Sequence, residues 1–128
     1  MHLFDKLEDY SSNVAIIDDN LNSYTYKELL HNADILGEKI SKHTTVFLVC
    51  KNSYEFMISY IALIRKKVVF FLINNSINKE KFEYLINHYK PIYILTPNEK
   101  NISGLKLKEL FNLNKKYKLL KTNFQKKY

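Results

Sequence analysis

The sequence predicts an α/β domain: a parallel sheet with crossover helices, opened by a small hairpin. Three observations carry this. Apolar runs of strand length recur at Thr45–Cys50, Val68–Ile73 and Ile92–Leu95, continuous where a half-exposed strand would alternate. Amphipathic stretches of helical period separate them. Between strands joined by helices, right-handed crossovers set the strands parallel.

The elements follow in order. Val14–Ile17 and Ser23–Thr25 flank Asp18-Asp19-Asn20-Leu21-Asn22, whose acids and amides suit a hairpin turn. Tyr26 to Ser41 sets Leu29, Leu30, Ala33, Leu36 and Ile40 on one helical stripe. Thr25, with Glu28 three residues on, forms a capping box that marks the helix start. Tyr54 to Ile64 is apolar nearly all round, which calls for protein cover on most of its circumference. Asn78 to His88 gathers Phe82, Leu85 and Ile86 on one face, and Pro91 then forbids helix. Past Pro97, residues 98–104 read as a polar loop before a lysine-rich end.

Composition bounds the function. At 128 residues and 46% hydrophobic, the chain can bury one core without staples. Its net charge of +7 is uneven. From Lys100 to Tyr128 nine lysines face one acid, Glu109, giving +8, while the preceding residues carry 11 bases and 12 acids, giving −1. The body is neutral, so a pI of 9.4 does not by itself imply a nucleic-acid partner. Cys50 is the single cysteine, which excludes an internal disulfide and a Cys-rich zinc site. The acidic N-terminus is unlike a signal peptide, and no run is long enough to span a bilayer. A soluble, cytoplasmic protein is the expectation. Only Gly37 and Gly104 are glycines, too few for a Walker loop or dinucleotide fingerprint.

Candidate chemical groups have plainer structural explanations. His2, His31, His43 and His88 include no pair at i, i+3 or i, i+4, so metal ligation lacks local support. Cys50 ends an apolar strand and reads as packing, not as a nucleophile. Asp18 and Asp19 are adjacent in a turn and point apart, so they do not form an acid–base pair. Glu28 and Glu55 suit helix starts, where a carboxylate is favoured by the dipole. Leu107, Leu110, Phe111, Leu113, Tyr117, Leu120 and Phe124 interleave with the terminal lysines. Such a segment either continues a core or lies on an anionic surface.

From about Asn13 to Thr96 the chain resembles the N-terminal part of the adenylate-forming (AMP-binding) ligases: acyl-CoA synthetases and adenylation domains. Asn13-Val14-Ala15-Ile16-Ile17-Asp18 is similar to the family's opening strand, and Thr25-Tyr26-Lys27-Glu28-Leu29 to its helix start. Val46 to Glu55 resembles the next strand, Asn-Ser turn and acidic helix opening. Ile58 to Ile64 and Pro91 to Thr96 match a later helix and strand, and Tyr117 to Asn123 resembles a strand ahead of the phosphate loop. The chain departs from the family at Arg65-Lys66-Lys67, where lysine-alanine-glycine is usual, and at Ile73 and Asn74, where proline and aspartate are usual. Losing that glycine puts a tight backbone turn in question.

The resemblance implies the fold of the first part of the ligase N-terminal domain, with residues 1–96 as that subregion and 97–128 as an incomplete, lysine-rich continuation. It implies a family activity in which ATP activates a carboxylic acid to an acyl-adenylate, which then passes to a thiol such as CoA or a carrier protein. ATP and Mg2+ are the family's cofactors. The phosphate loop ending Pro-Lys-Gly, the ribose-binding acid, the magnesium glutamate and the catalytic lysine have no counterpart in these 128 residues. No catalytic, cofactor-binding or metal residue is therefore assigned. The expectation is a truncated or split ligase, inactive alone, whose partner is a second chain carrying the remainder. Self-association through uncovered apolar faces is a further expectation, and nucleic acid or anionic membrane is not favoured. The alternative is a small non-enzymatic interaction protein using its basic end.

Overall fold

The computed structural model describes residues 14–17, 23–100, 102 and 106–124. The opening hairpin pairs β1 (Val14–Ile17) antiparallel with β2 (Ser23–Thr25). Its turn, with Asp18 and Asp19, lies outside the described residues. The expected alternation follows: α1 (Tyr26–Glu38), β3 (Thr45–Cys50), α2 (Tyr54–Lys66), β4 (Val69–Asn74), α3 (Lys79–Tyr89) and β5 (Tyr93–Pro97). Two further strands, β6 (Lys108–Leu113) and β7 (Tyr117–Lys121), end it.

One five-stranded sheet, ordered β4-β3-β5-β7-β6, organises the molecule. β3 lies parallel to both β4 and β5, the arrangement that helical crossovers require. The sheet is not parallel throughout. β7 runs antiparallel to β5 and to β6, and a tight turn, not a helix, joins β6 to β7. Asn114 and Lys115 both take positive φ (54° and 61°) in that turn, the primed geometry that matches strand twist. The basic end thus builds part of the sheet. Leu113, Tyr117, Leu119 and Leu120 are buried, and Leu110, Phe111 and Phe124 pack against the core.

The continuous apolar run of β3 is now explained. Val46 and Leu48 face α1 and α2, in a cluster with Leu29, Leu36, Ile58, Ile61, Tyr93, Leu95 and Leu119. Phe47 and Val49 face the opposite side, with Ile73, Phe82, Ile86, Ile94 and Leu120. All four β3 side chains are fully buried. Each fully buried aliphatic side chain of this kind contributes about 1.5–3 kcal/mol.

Side-chain caps define the helix starts. Thr25 Oγ1 accepts from the Glu28 amide, Ser53 Oγ from Phe56 and Asn78 Oδ1 from Lys81. Tyr54, Ile58, Ile61, Ala62 and Leu63 of α2 are buried within the chain itself, and Phe56, Met57 and Tyr60 pack against the same core. Much of the cover that this apolar helix calls for is supplied by α1 and the sheet.

Two expectations need correcting. The first helix ends at Glu38, not Ser41, with Lys39 as its cap. The Val68–Ile73 run is not buried on both faces: Val69, Phe71 and Leu72 are 64%, 38% and 55% exposed. β4 is an edge strand, paired with β3 alone among the described residues, so its outer half has no neighbour.

Lys67 resolves the missing glycine. It caps α2 in the left-handed conformation (φ 60°, ψ 38°), and its amide reaches Ile64 and Leu63 carbonyls. The tight turn survives with a side chain that disfavours it by roughly 1–2 kcal/mol.

Two outcomes are expected in urea titrations. Lys67→Gly raises stability by about 1 kcal/mol, because glycine removes the left-handed strain. Leu36→Ala, at a fully buried site, lowers stability by about 2–5 kcal/mol.

Candidate functional site

In open α/β sheets, ligands gather beyond the carboxyl ends of the strands, where crossovers leave in opposite directions. Here that point lies between β3 and β5: the chain leaves β3 through α2 on one face and returns from β4 through α3 on the other. Lys51, Ser53 and Glu99 stand on the two segments that leave these strands.

The crevice is occupied by the chain itself. Tyr117, at the start of β7, is 1% exposed. Its hydroxyl donates to the Val49 carbonyl (2.7 Å) and accepts from the Lys51 amide (2.9 Å). Burial pushes this phenol far above its ordinary pKa, so it stays protonated and holds both bonds. Beside it, Asn114 Nδ2 in the hairpin turn donates to Glu55 Oε2 (2.9 Å), and the Asn98 amide donates to the Lys116 carbonyl. Glu55 is 5% exposed, so this amide satisfies a carboxylate that would otherwise be costly to bury.

Lys51 Nζ pairs with Glu99 at the rim. That hydrogen bond, chiefly, holds the Glu99 carboxyl below its usual range. Both partners are more than half exposed, so the pair adds little stability.

The remaining candidates disperse. Cys50 is partly buried, and burial raises its thiol pKa, the opposite of what a nucleophile requires. His31, His43 and His88 are exposed on separate elements, and His2 lies outside the described residues. Among the described residues no three His, Cys, Asp or Glu side chains gather where they could hold a metal. Glu28 is exposed at the start of α1, as expected of a helix-start residue. A shallow, mostly apolar depression of about 320 Å³ is lined by Ile77, ahead of α3, and by Glu80, Lys81, Tyr84 and Leu85 on α3. The sequence reading missed the Tyr117 clip and the Glu55–Asn114 bond. Their partners lie 59 to 68 residues apart, and no local pattern announces such a contact.

The statistical description of the AMP-binding enzyme family matches residues 3–126. The chain belongs to the AMP-binding enzyme family. The sequence resemblance is thereby borne out, as is the α/β fold it implied.

Solved structures agree on the fold of this member of the AMP-binding enzyme family. The N-terminal subdomain of NpsA from Klebsiella oxytoca superposes with a TM-score of 0.68 at 20% identity, over 79% of this chain and 28% of that one. A benzoate CoA ligase from Burkholderia xenovorans LB400 gives 0.63 at 21% identity, covering 70% and 19% of the two chains. The anthranilate CoA ligase AuaEII gives 0.62 at 16%, covering 70% and 19%. The chain spans less than a third of each of these relatives. No curated protein matches it. No helix among the described residues is long and apolar enough to cross a membrane.

The Tyr117 clip generates a pH-dependent expectation. Burial raises the Tyr117, Tyr54 and Cys50 pKa values above those of the unfolded chain. A raised folded-state pKa means that the unfolded state releases its proton first as pH climbs. Stability is therefore full below the ordinary thiol pKa of about 8.5, begins to fall above it as Cys50 titrates in the unfolded chain, and falls further above the ordinary phenol pKa of about 10. Tyr117→Phe should cost about 1–3 kcal/mol at neutral pH, by stripping partners from the Val49 carbonyl and Lys51 amide. It should also flatten the alkaline decline, as read from denaturant midpoints between neutral and strongly alkaline pH.

Proposed function

We propose that these 128 residues supply the opening scaffold of an adenylate-forming ligase and do not carry out adenylation by themselves. The family match across residues 3–126 is the observation that supports this reading. Two of the relatives named above are an anthranilate CoA ligase and a benzoate CoA ligase, and this chain covers 19% of each. The work of such a ligase is to stabilise charge on the reacting α-phosphate, and positioned donors provide most of that catalysis. The 128 residues contain no Ser/Thr/Gly-rich loop ending in Pro-Lys-Gly, and their glycines are Gly37 and Gly104 alone. Tyr117 ties the exit of β3 to β7 at the carboxyl end of the sheet, which supports a scaffolding role for this segment.

In this reading ATP, Mg2+ and the acid substrate are held by sequence other than these residues. The choice of acid is made there too. The basic end is a sheet component in this account: Leu113, Tyr117, Leu119 and Leu120 are turned onto the core, while Lys106, Lys108, Lys115, Lys116 and Lys121 are exposed.

The test is direct. The purified 128-residue chain should give ATP–pyrophosphate exchange at background with any carboxylic acid. Exchange above background that is lost on mutation within the chain would refute the reading. The neighbouring DNA offers a second check. Coding sequence for the Pro-Lys-Gly loop is expected downstream, in the same frame or an adjacent one, and its product should restore exchange in combination with these residues.

A further inference from the structure

The two edges of the five-stranded sheet are built differently. β6 carries Lys108 and Glu109, and its register slips between Glu109 and Phe111. Charge and a bulge are the usual devices that keep an edge from pairing with another chain. β4 has neither. Its register with β3 runs unbroken from Val69 to Asn74, and no charged residue or proline occurs between Lys67 and Lys79. Val69 and Leu72 are more than half exposed. Phe71 meets Tyr89 (centroids 5.0 Å apart), which meets His88 (4.7 Å), which stacks on Tyr84 (5.6 Å). An aromatic strip therefore flanks the open edge.

We propose that β4 is a homodimer edge, on which a second copy of this chain pairs antiparallel and joins two five-stranded sheets into one. The occupant is identified by charge and by self-complementarity. Each copy is strongly basic, so any contact between copies must keep like charges apart. Antiparallel pairing about Phe71 does so. It sets Phe71 against Phe71, Val69 against Ile73 and Phe70 against Leu72, all on matching faces. The Arg65-Lys66-Lys67 end of each strand then meets the uncharged Asn75-Ser76-Ile77 end of the other. The two Lys67 residues stand on the order of 25 Å apart, beyond the screening length at physiological salt. Parallel pairing would instead bring the basic ends together. A two-fold contact of this kind closes on itself and leaves the charged β6 edges outermost.

Sedimentation of the purified chain across the micromolar range tests this. The expected result is a dimer that persists as salt rises, with slowed amide exchange along Val69–Asn74. Val69→Lys with Leu72→Lys, both at solvent-exposed positions, should weaken dimerisation by about tenfold or more without changing the circular dichroism spectrum. Lys108→Glu on β6 should leave the dimer intact. Phe71→Cys in a Cys50→Ser background should oxidise to a covalent dimer. A wild-type monomer at all concentrations, including one whose β4 is covered only by a different polypeptide, overturns the proposal. So does a dimer or open-ended aggregate that survives the double lysine variant, or a dimer that fails to cross-link at position 71. None of these outcomes bears on the ligase reading, which is tested by exchange.

Discussion

Everything in this fold depends on β3 being buried on both faces. Val46 and Leu48 engage α1 and α2, while Phe47 and Val49 engage α3, so a four-residue run holds two separate cores together. Such a strand must be central, with hydrogen-bonded neighbours on both sides, and β4 and β5 fill those places. The helical crossovers then have no freedom: one helix layer covers each face, and the return from β4 to β5 passes over β3. The carboxyl end of the sheet inherits its shape from this constraint, since β3 and β5 send their chains onward in different directions.

The hairpin of β6 and β7 uses that end. Its strands extend the sheet beyond β5, and its turn brings Tyr117 and Asn114 to the exit of β3 and the start of α2. A tyrosine hydroxyl and a side-chain amide thereby satisfy backbone and carboxylate groups that the strand-to-helix turn would otherwise leave buried without partners. The lysine-rich composition of this segment conceals its role. Alternation along β7 turns Tyr117 and Leu119 to one face and Leu120 to the other, and the lysines occupy what remains. The charge of the chain is thus carried on a structural element whose apolar half is part of the core.

Departures from the family pattern are absorbed locally. Lys67, standing where the family pattern usually has glycine, takes a left-handed cap, and the strand that follows runs in register with β3. Asn74, where the family has aspartate, turns its side-chain carbonyl to the Ser76 amide and closes the bend before α3. The scaffold therefore survives changes at positions where backbone geometry matters more than side-chain chemistry.

The sequence by itself determined the elements and their order, because helical and strand periodicities and caps such as Thr25, Ser53 and Asn78 are local signals. It also determined the family, since the ordered motifs between Asn13 and Thr96 survive as a linear pattern. Tertiary structure alone decided which strand would be an edge. Val68–Ile73 and Thr45–Cys50 are equally apolar, and only the direction of the two crossovers puts one at the margin and the other at the centre. It also decided what Tyr117, Glu55 and Asn114 do. Their meeting joins a turn to a helix start 59 residues away, a contact made when β7 pairs with β5 and invisible to any pattern read along the chain.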